Sequence, residues 1–240
     1  MEKGLIVITG ASSGIGAAVA RAFAELGHPL LLLARRLDRI ENLKLQNAIC
    51  KKVDVTKIKE FQAAIDEAEE QYGPTSCLIN NAGVMLLGLA HEQNPKEWQQ
   101  MLDVNVMGVL NGIHSVLPSM IARESGTIIN ISSVAGRKTF LNHAAYCGTK
   151  FAVHALTENI RQEAASHNVR MILIAPGPVE TELLSFTTSQ EIKDNYTAWK
   201  EEIGGALSAE DIAQSIVFAY QQPQRLCIRE IVLCPTKQVP

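Results

Sequence analysis

Apolar runs of four to seven residues alternate along this chain with stretches in which apolar side chains return every three or four positions. The runs at 5–9, 29–34, 48–53, 77–80, 126–132, 169–175 and 229–234 predict strands. Most are apolar throughout rather than at every second position, which suits strands covered on both faces. The stretches at 15–26, 57–72, 98–121 and 145–167 carry the helical period. Such alternation implies right-handed crossovers and an α/β fold, a doubly wound parallel sheet with helices on both faces. No linker, repeat or low-complexity tract interrupts residues 1–240, so a single domain is expected.

The rhythm breaks at about 182–207, where apolar and polar residues mix and the segment ends in Gly204-Gly205. A long connection in a compact chain usually has a functional role, and a helical flap with a glycine hinge is expected here. An ordinary pair of surface helices is the other reading. Glu182, Glu191 and Glu201 read as solvated charges. Tyr196 and Trp199 either touch a ligand or pin the flap down.

Composition narrows the function classes. The chain has 240 residues, 47% of them apolar, enough for a substantial core. Its net charge of -3 offers no basic excess for nucleic acid. Five cysteines, an odd count without a C-x-x-C pair, argue against a disulfide framework and structural zinc. No segment reads as a signal peptide, a membrane span or a metal-ligand set. A soluble cytoplasmic protein is expected.

Candidate chemistry begins after the first strand, in Thr9-Gly10-Ala11-Ser12-Ser13-Gly14-Ile15-Gly16. Glycines between a strand and a helix permit a tight turn and let a pyrophosphate approach the main chain. The amides opening the helix then face the anion. A tight turn without a ligand is the plain alternative for this motif taken alone. The second strand ends Ala34-Arg35-Arg36, where an NAD-binding chain usually carries an acid for the ribose 2′-hydroxyl. A guanidinium fork suits a 2′-phosphate, so NADP(H) is the expected cofactor. Read otherwise, both arginines are solvated charges.

Tyr146 and Lys150 stand four residues apart on a predicted helix and so share a face. A free phenol is a poor acid or base at neutral pH, but a nearby ammonium favours phenolate. Tyr146 is therefore expected to be acidified, serving as acid in carbonyl reduction and base in alcohol oxidation. Ser133, thirteen residues upstream, ends a strand and can hydrogen-bond the substrate oxygen. His143 reads as a pocket residue or, more simply, a structural loop histidine. Cys147 reads as packing.

Taken together, these motifs resemble the short-chain dehydrogenase/reductase family from about Leu5 to Thr181. The glycine turn, Asp54-Val55, Asn80-Asn81-Ala82-Gly83, Asn105, Ser132-Ser133, Tyr146 with Lys150, and Pro176-Gly177 with Val179 and Thr181 carry the likeness. The resemblance implies a Rossmann sheet of order 3-2-1-4-5-6-7. It implies that Asn105 holds a proton-relay water and that Lys150 also binds the nicotinamide ribose. It places Asp54, Val55, Asn81, Ala82 and Gly83 at the adenosine side, and Val179 and Thr181 beside the carboxamide. It further implies a homodimer or homotetramer packed through the helices at 98–121 and 145–167. The ending 228–240 resembles a branch of NADP-dependent 3-hydroxy acid (serine-type) dehydrogenases. The expected reaction is hydride transfer between nicotinamide and a secondary alcohol or ketone, with a 3-hydroxy acid as one substrate. A 3-oxoacyl thioester reductase and a non-catalytic dinucleotide sensor are the alternatives.

Overall fold

The computed structural model describes residues 3–239. Seven parallel strands, β1 (Leu5–Thr9), β2 (Leu30–Ala34), β3 (Ala48–Lys52), β4 (Thr75–Asn80), β5 (Gly126–Ile131), β6 (Val169–Pro176) and β7 (Glu230–Leu233), form one sheet in the order β3-β2-β1-β4-β5-β6-β7. Each expected strand is present, with its ends moved by at most two residues. The pleat explains the unbroken apolar runs. Leu5 and Val7 enter the core on one face with Leu31 and Leu33, while Ile6 and Ile8 enter the other with Leu30 and Leu32. All are fully buried, so β1 and β2 offer these positions no water-facing side; polar exposed positions, Lys52 and Glu230, occur on the edge strands β3 and β7.

Helices α1 (Gly14–Glu25) and α8 (Ala209–Gln221) cover one face, packed against each other. Helices α3 (Ile58–Tyr72), α5 (Gly108–Ala122) and α6 (Ala144–Ala164) cover the other. A five-residue helix, α2 (Leu37–Glu41), follows β2. The helix expected at 98–121 starts earlier, as α4 (Pro95–Leu102), because Asn94 caps it and Pro95 suits the first turn. It is also interrupted, since Asp103–Met107 form a π turn between α4 and α5. The wider turn changes the aim of the side chains it carries and brings Asn105 inward, 1% exposed.

The expectation that no segment is long and apolar enough to cross a bilayer needs correcting. The stretch Pro95–Ala122 reaches that length at a mean hydropathy of 1.3. Half of its most apolar window is buried within the protein, where α5 packs on α3, β4 and β5. Core packing accounts for that apolarity.

The segment 182–207 contains a short 3-10 turn at Glu182–Phe186 and helix α7 (Gln190–Glu202). Ser189 caps α7 by accepting from the Ile192 amide. Gly204 and Gly205, at φ +86° and +102°, then turn the chain back, and Leu207 pairs with Val179. Both backbone angles favour glycine.

Candidate active site

The carboxyl ends of β1, β2, β4, β5 and β6 open into one cavity of about 710 Å³. Its floor is the glycine turn. Gly10 and Gly14 have φ of +66° and +51°, left-handed angles that other residues adopt at a cost. A β-carbon on Gly16 would run into the Gly10 carbonyl oxygen, so this third glycine closes the turn without lining the cavity. Ser13 stands at the N-cap of α1, yet its hydroxyl does not cap the helix. It accepts instead from Arg36 Nη2 at 3.0 Å, as does Ser12 at 3.1 Å. The first amides of α1 are thus left without a side-chain cap.

Arg36 is folded down onto the turn and Arg35 is exposed on the cavity edge. Asp54 accepts from the Thr56 amide and hydroxyl through Oδ1, at 3.0 and 2.9 Å. Val55, Ala82 and Gly83 line the same wall. Asn81 lines it too, but both hydrogens of its side-chain amide go to the Thr9 and Gly10 carbonyls, at 3.0 and 3.2 Å. It buttresses the turn from β4. Pro176, Gly177, Val179, Thr181 and Ile15 complete this half of the cavity.

Tyr146, Lys150 and Ser133 face the other half. Tyr146 and Lys150 are 6% and 7% exposed, and Lys150 Nζ lies 5.7 Å from the centre of the tyrosine ring. That Nζ donates to the Ile131 carbonyl at 3.0 Å. An ammonium has two further N–H groups to offer. Burial pushes the Lys150 pKa down to about 8. For Tyr146 the expectation of an acidified phenol is reversed in the protein alone. Burial raises its pKa, Tyr196 adds to the rise, and the Ser133 hydroxyl opposes it. Desolvation of the phenolate is the largest cause and outweighs the hydrogen bond from Ser133.

Asn105 lies behind Gly83. A β-carbon on Gly83 would come 3.4 Å from Asn105 Oδ1 and 4.0 Å from Lys150 Nζ. The Asn105 side chain is committed to the protein: Oδ1 accepts from the Val84 amide, and Nδ2 donates to the Val84 carbonyl and Thr149 Oγ1.

Over Tyr146 sits an apolar and aromatic wall. Val84, Met85 and Ala135 form it with Phe140, Leu183, Leu184, Ile192 and Tyr196. The His143 ring stacks on Tyr196 at 6.3 Å, and Trp199 meets Tyr196 edge-on at 5.4 Å. Burial pushes Tyr196 up to about 12 and holds His143 below its ordinary value, so the imidazole is neutral at pH 7. Of the two readings of His143, the structure favours the pocket residue. Cys147 packs in the same cluster.

One correction concerns Glu182. It is not merely solvated, since its Oε2 accepts from Arg36 Nη1 at 2.9 Å and its Oε1 from Arg39 Nη1 at 2.6 Å. Arg39, which the sequence reading passed over, stands three residues after Arg36 in α2 and shares its face. That spacing was the available signal. For Glu182 no local signal existed, because its partners lie 146 and 143 residues away.

These residues fit a dinucleotide: uncapped amides at a glycine turn, a carboxylate on Asp54, and a buried ammonium with donors to spare. With a parallel sheet of this order they define a Rossmann-type oxidoreductase. The short chain dehydrogenase family model matches residues 4–192, and the chain belongs to that family. An uncharacterized oxidoreductase of Staphylococcus saprophyticus is 41% identical over 98% of this chain and 96% of its own length. The closed form of a serine dehydrogenase complexed with NADP+ superposes with a TM-score of 0.87 at 28% identity, covering 98% and 96% of the two chains. An alcohol dehydrogenase of the archaeon Thermococcus sibiricus, complexed with 5-hydroxy-NADP, gives 0.87 at 26%, covering 99% and 98%.

Proposed function

We propose that this oxidoreductase uses NADP(H) to interconvert an uncharged ketone and its secondary alcohol. The observation that carries the reading is the placement of Tyr146, Lys150 and Ser133 at the junction of the glycine-turn groove and an apolar pocket. When bound, the cofactor supplies or accepts the hydride. Lys150 holds the nicotinamide ribose and keeps positive charge near the phenol. The Ser133 hydroxyl positions the substrate oxygen. Tyr146, held neutral by burial, gives its proton to that oxygen in reduction. In oxidation the base form needs the added positive charge of the oxidised ring. The main chain around Asn105 holds the relay water, and Val179 and Thr181 flank the carboxamide.

The substrate half favours a neutral molecule. The cations lining the cavity, among the described residues, are Arg35, Arg36, Lys150 and Lys200. The first two stand at the adenosine end. Lys200 Nζ is held between the two Glu180 oxygens at 2.9 and 3.1 Å. With Lys150 committed to the nicotinamide ribose in this reading, a substrate carboxylate entering the aromatic wall would lose water without gaining a further cation. This weighs against a 3-hydroxy acid. A sensor has no need of an intact Tyr146 and Lys150.

NADPH oxidation should therefore run at least about tenfold faster, as kcat/KM, with a keto ester than with the matching keto acid. Equal or reversed rates would refute a neutral substrate. The cofactor assignment rests on Arg36, whose fork meets Ser12 and Ser13. Arg36→Ala should raise the KM for NADPH about tenfold or more and leave that for NADH within about twofold. A parent enzyme equally active with both cofactors would sink that assignment.

The segment 182–207 is read as the substrate flap of a single-domain enzyme. Leu102, Met107 and Phe151, exposed on α4, the π turn and α6, support the homo-oligomer expected through these helices.

A further inference from the structure

The cofactor groove is crossed by a strap. Thr181 packs against the glycine turn so closely that a β-carbon on Gly14 would come within 2.8 Å of its methyl group. The next residue, Glu182, spans to the other lip and pairs with Arg36 and Arg39. Arg36 in turn holds Ser12 and Ser13. The groove's two lips are thus tied through a carboxylate that belongs to the flap. Immediately after it, Leu183 and Leu184 pack against the apolar cluster that contains Tyr146.

From this geometry we infer that Glu182 is an internal competitor for the cofactor's 2′-phosphate and that Arg39 is a second arginine of that phosphate site. The inference rests on the NADP(H) reading given above. A phosphate carries more charge than a carboxylate and three strong acceptor oxygens, so it displaces Glu182 from both guanidinium groups. Displacement releases the start of the flap, and Leu183 and Leu184 move with it. A cofactor lacking the 2′-phosphate leaves the strap in place. Discrimination between the two dinucleotides is then set at two points: the attraction of the arginines for phosphate, and the position of a segment that lines the substrate pocket. Glu182 weakens the binding of the preferred cofactor by the fraction of molecules in which it holds the site.

The test uses the full chain and two fragments, adenosine 2′,5′-bisphosphate and 5′-AMP, titrated by calorimetry. Glu182→Gln should bind the bisphosphate about tenfold more tightly than the parent, with 5′-AMP unchanged within about twofold. In the Glu182→Gln background, Arg39→Gln should then weaken the bisphosphate about tenfold and leave 5′-AMP alone. An unchanged affinity would remove Arg39 from the site. A separate readout follows the flap. Trp98 and Trp199 are the two tryptophans, and Trp199 lines the cavity. In a Trp98→Phe background the bisphosphate should shift Trp199 emission while 5′-AMP does not. With Glu182→Gln added, the shift should be present before any ligand. A Glu182→Gln protein that binds the bisphosphate no better than the parent, while the parent still prefers it to 5′-AMP, overturns the competitor and leaves the NADP(H) reading intact. If parent and variant both bind the two fragments equally, the cofactor reading fails and the competitor with it.

Discussion

Replacing Tyr146 by phenylalanine is expected to lower kcat by about 10³- to 10⁴-fold while the Kd for NADPH stays within about twofold. The ring remains, so the packing with Met85, Ala135 and Cys147 in its cluster is kept. Only the hydroxyl is lost, and with it the group placed to give a proton to the substrate oxygen. Ser133 Oγ accepts from the Ala135 amide at 3.1 Å, and its hydroxyl faces the Tyr146 phenol. It can orient the substrate oxygen but is too weak an acid to replace a phenol. Steady-state rates with a keto ester, paired with a fluorescence titration of NADPH, give the two numbers. A variant that turns over within about tenfold of the parent would show that the proton comes from elsewhere.

Lys150→Met should abolish turnover and at the same time stabilise the fold. Burial lowers the Lys150 pKa from 10.5 to about 8. At pH 7 the group is charged in both folded and unfolded chains, so the whole desolvation penalty falls on the folded state. Two to three pKa units correspond to about 3 kcal/mol. Methionine matches the side chain in length and removes the charge, although the Ile131 carbonyl then loses its partner. A net gain of about 2 kcal/mol is expected, raising Tm by roughly 4–8 °C in a chain of this size. The pH dependence has a definite direction. Between the folded value near 8 and the unfolded value of 10.5 the unfolded chain binds more protons, so parental stability rises with pH across that window. The variant lacks that rise. Urea unfolding at pH 7.5 and 9.5, below the ordinary tyrosine range, measures both effects. A variant less stable than the parent at pH 7.5 would mean that the ammonium is not held at a cost.

The paired roles of Lys150 and Glu182 mark where local patterns could be read and where they could not. The five inner strands were legible because they are buried on both faces, which leaves a mostly apolar signature in a few consecutive residues, whereas the edge strands β3 and β7 are only partly covered and carry shorter apolar runs. The glycine turn and the Tyr146–Lys150 pair were legible because turn geometry and helical spacing act over fewer than ten residues. The π turn at Asp103–Met107 was not, since five residues are too few to mark a period of their own. Nor was the rise in the Tyr146 pKa. Spacing on a helix predicts a neighbouring charge, whereas desolvation depends on what α7 and the residues around Met85 place above the ring.

What the sequence determined alone is the order of elements, the glycine turn after β1 and the placement of Tyr146 and Lys150 on one helix face. Their chemistry resides in neighbours along the chain, and local geometry suffices to align them. Tertiary structure decided the rest: the aromatic wall with its single neutral histidine, the strap from Glu182 to Arg36 and Arg39, and the protonation state of Tyr146. Each depends on burial or on charges brought together from distant segments, and electrostatic energy follows distance in space and local dielectric rather than separation along the backbone.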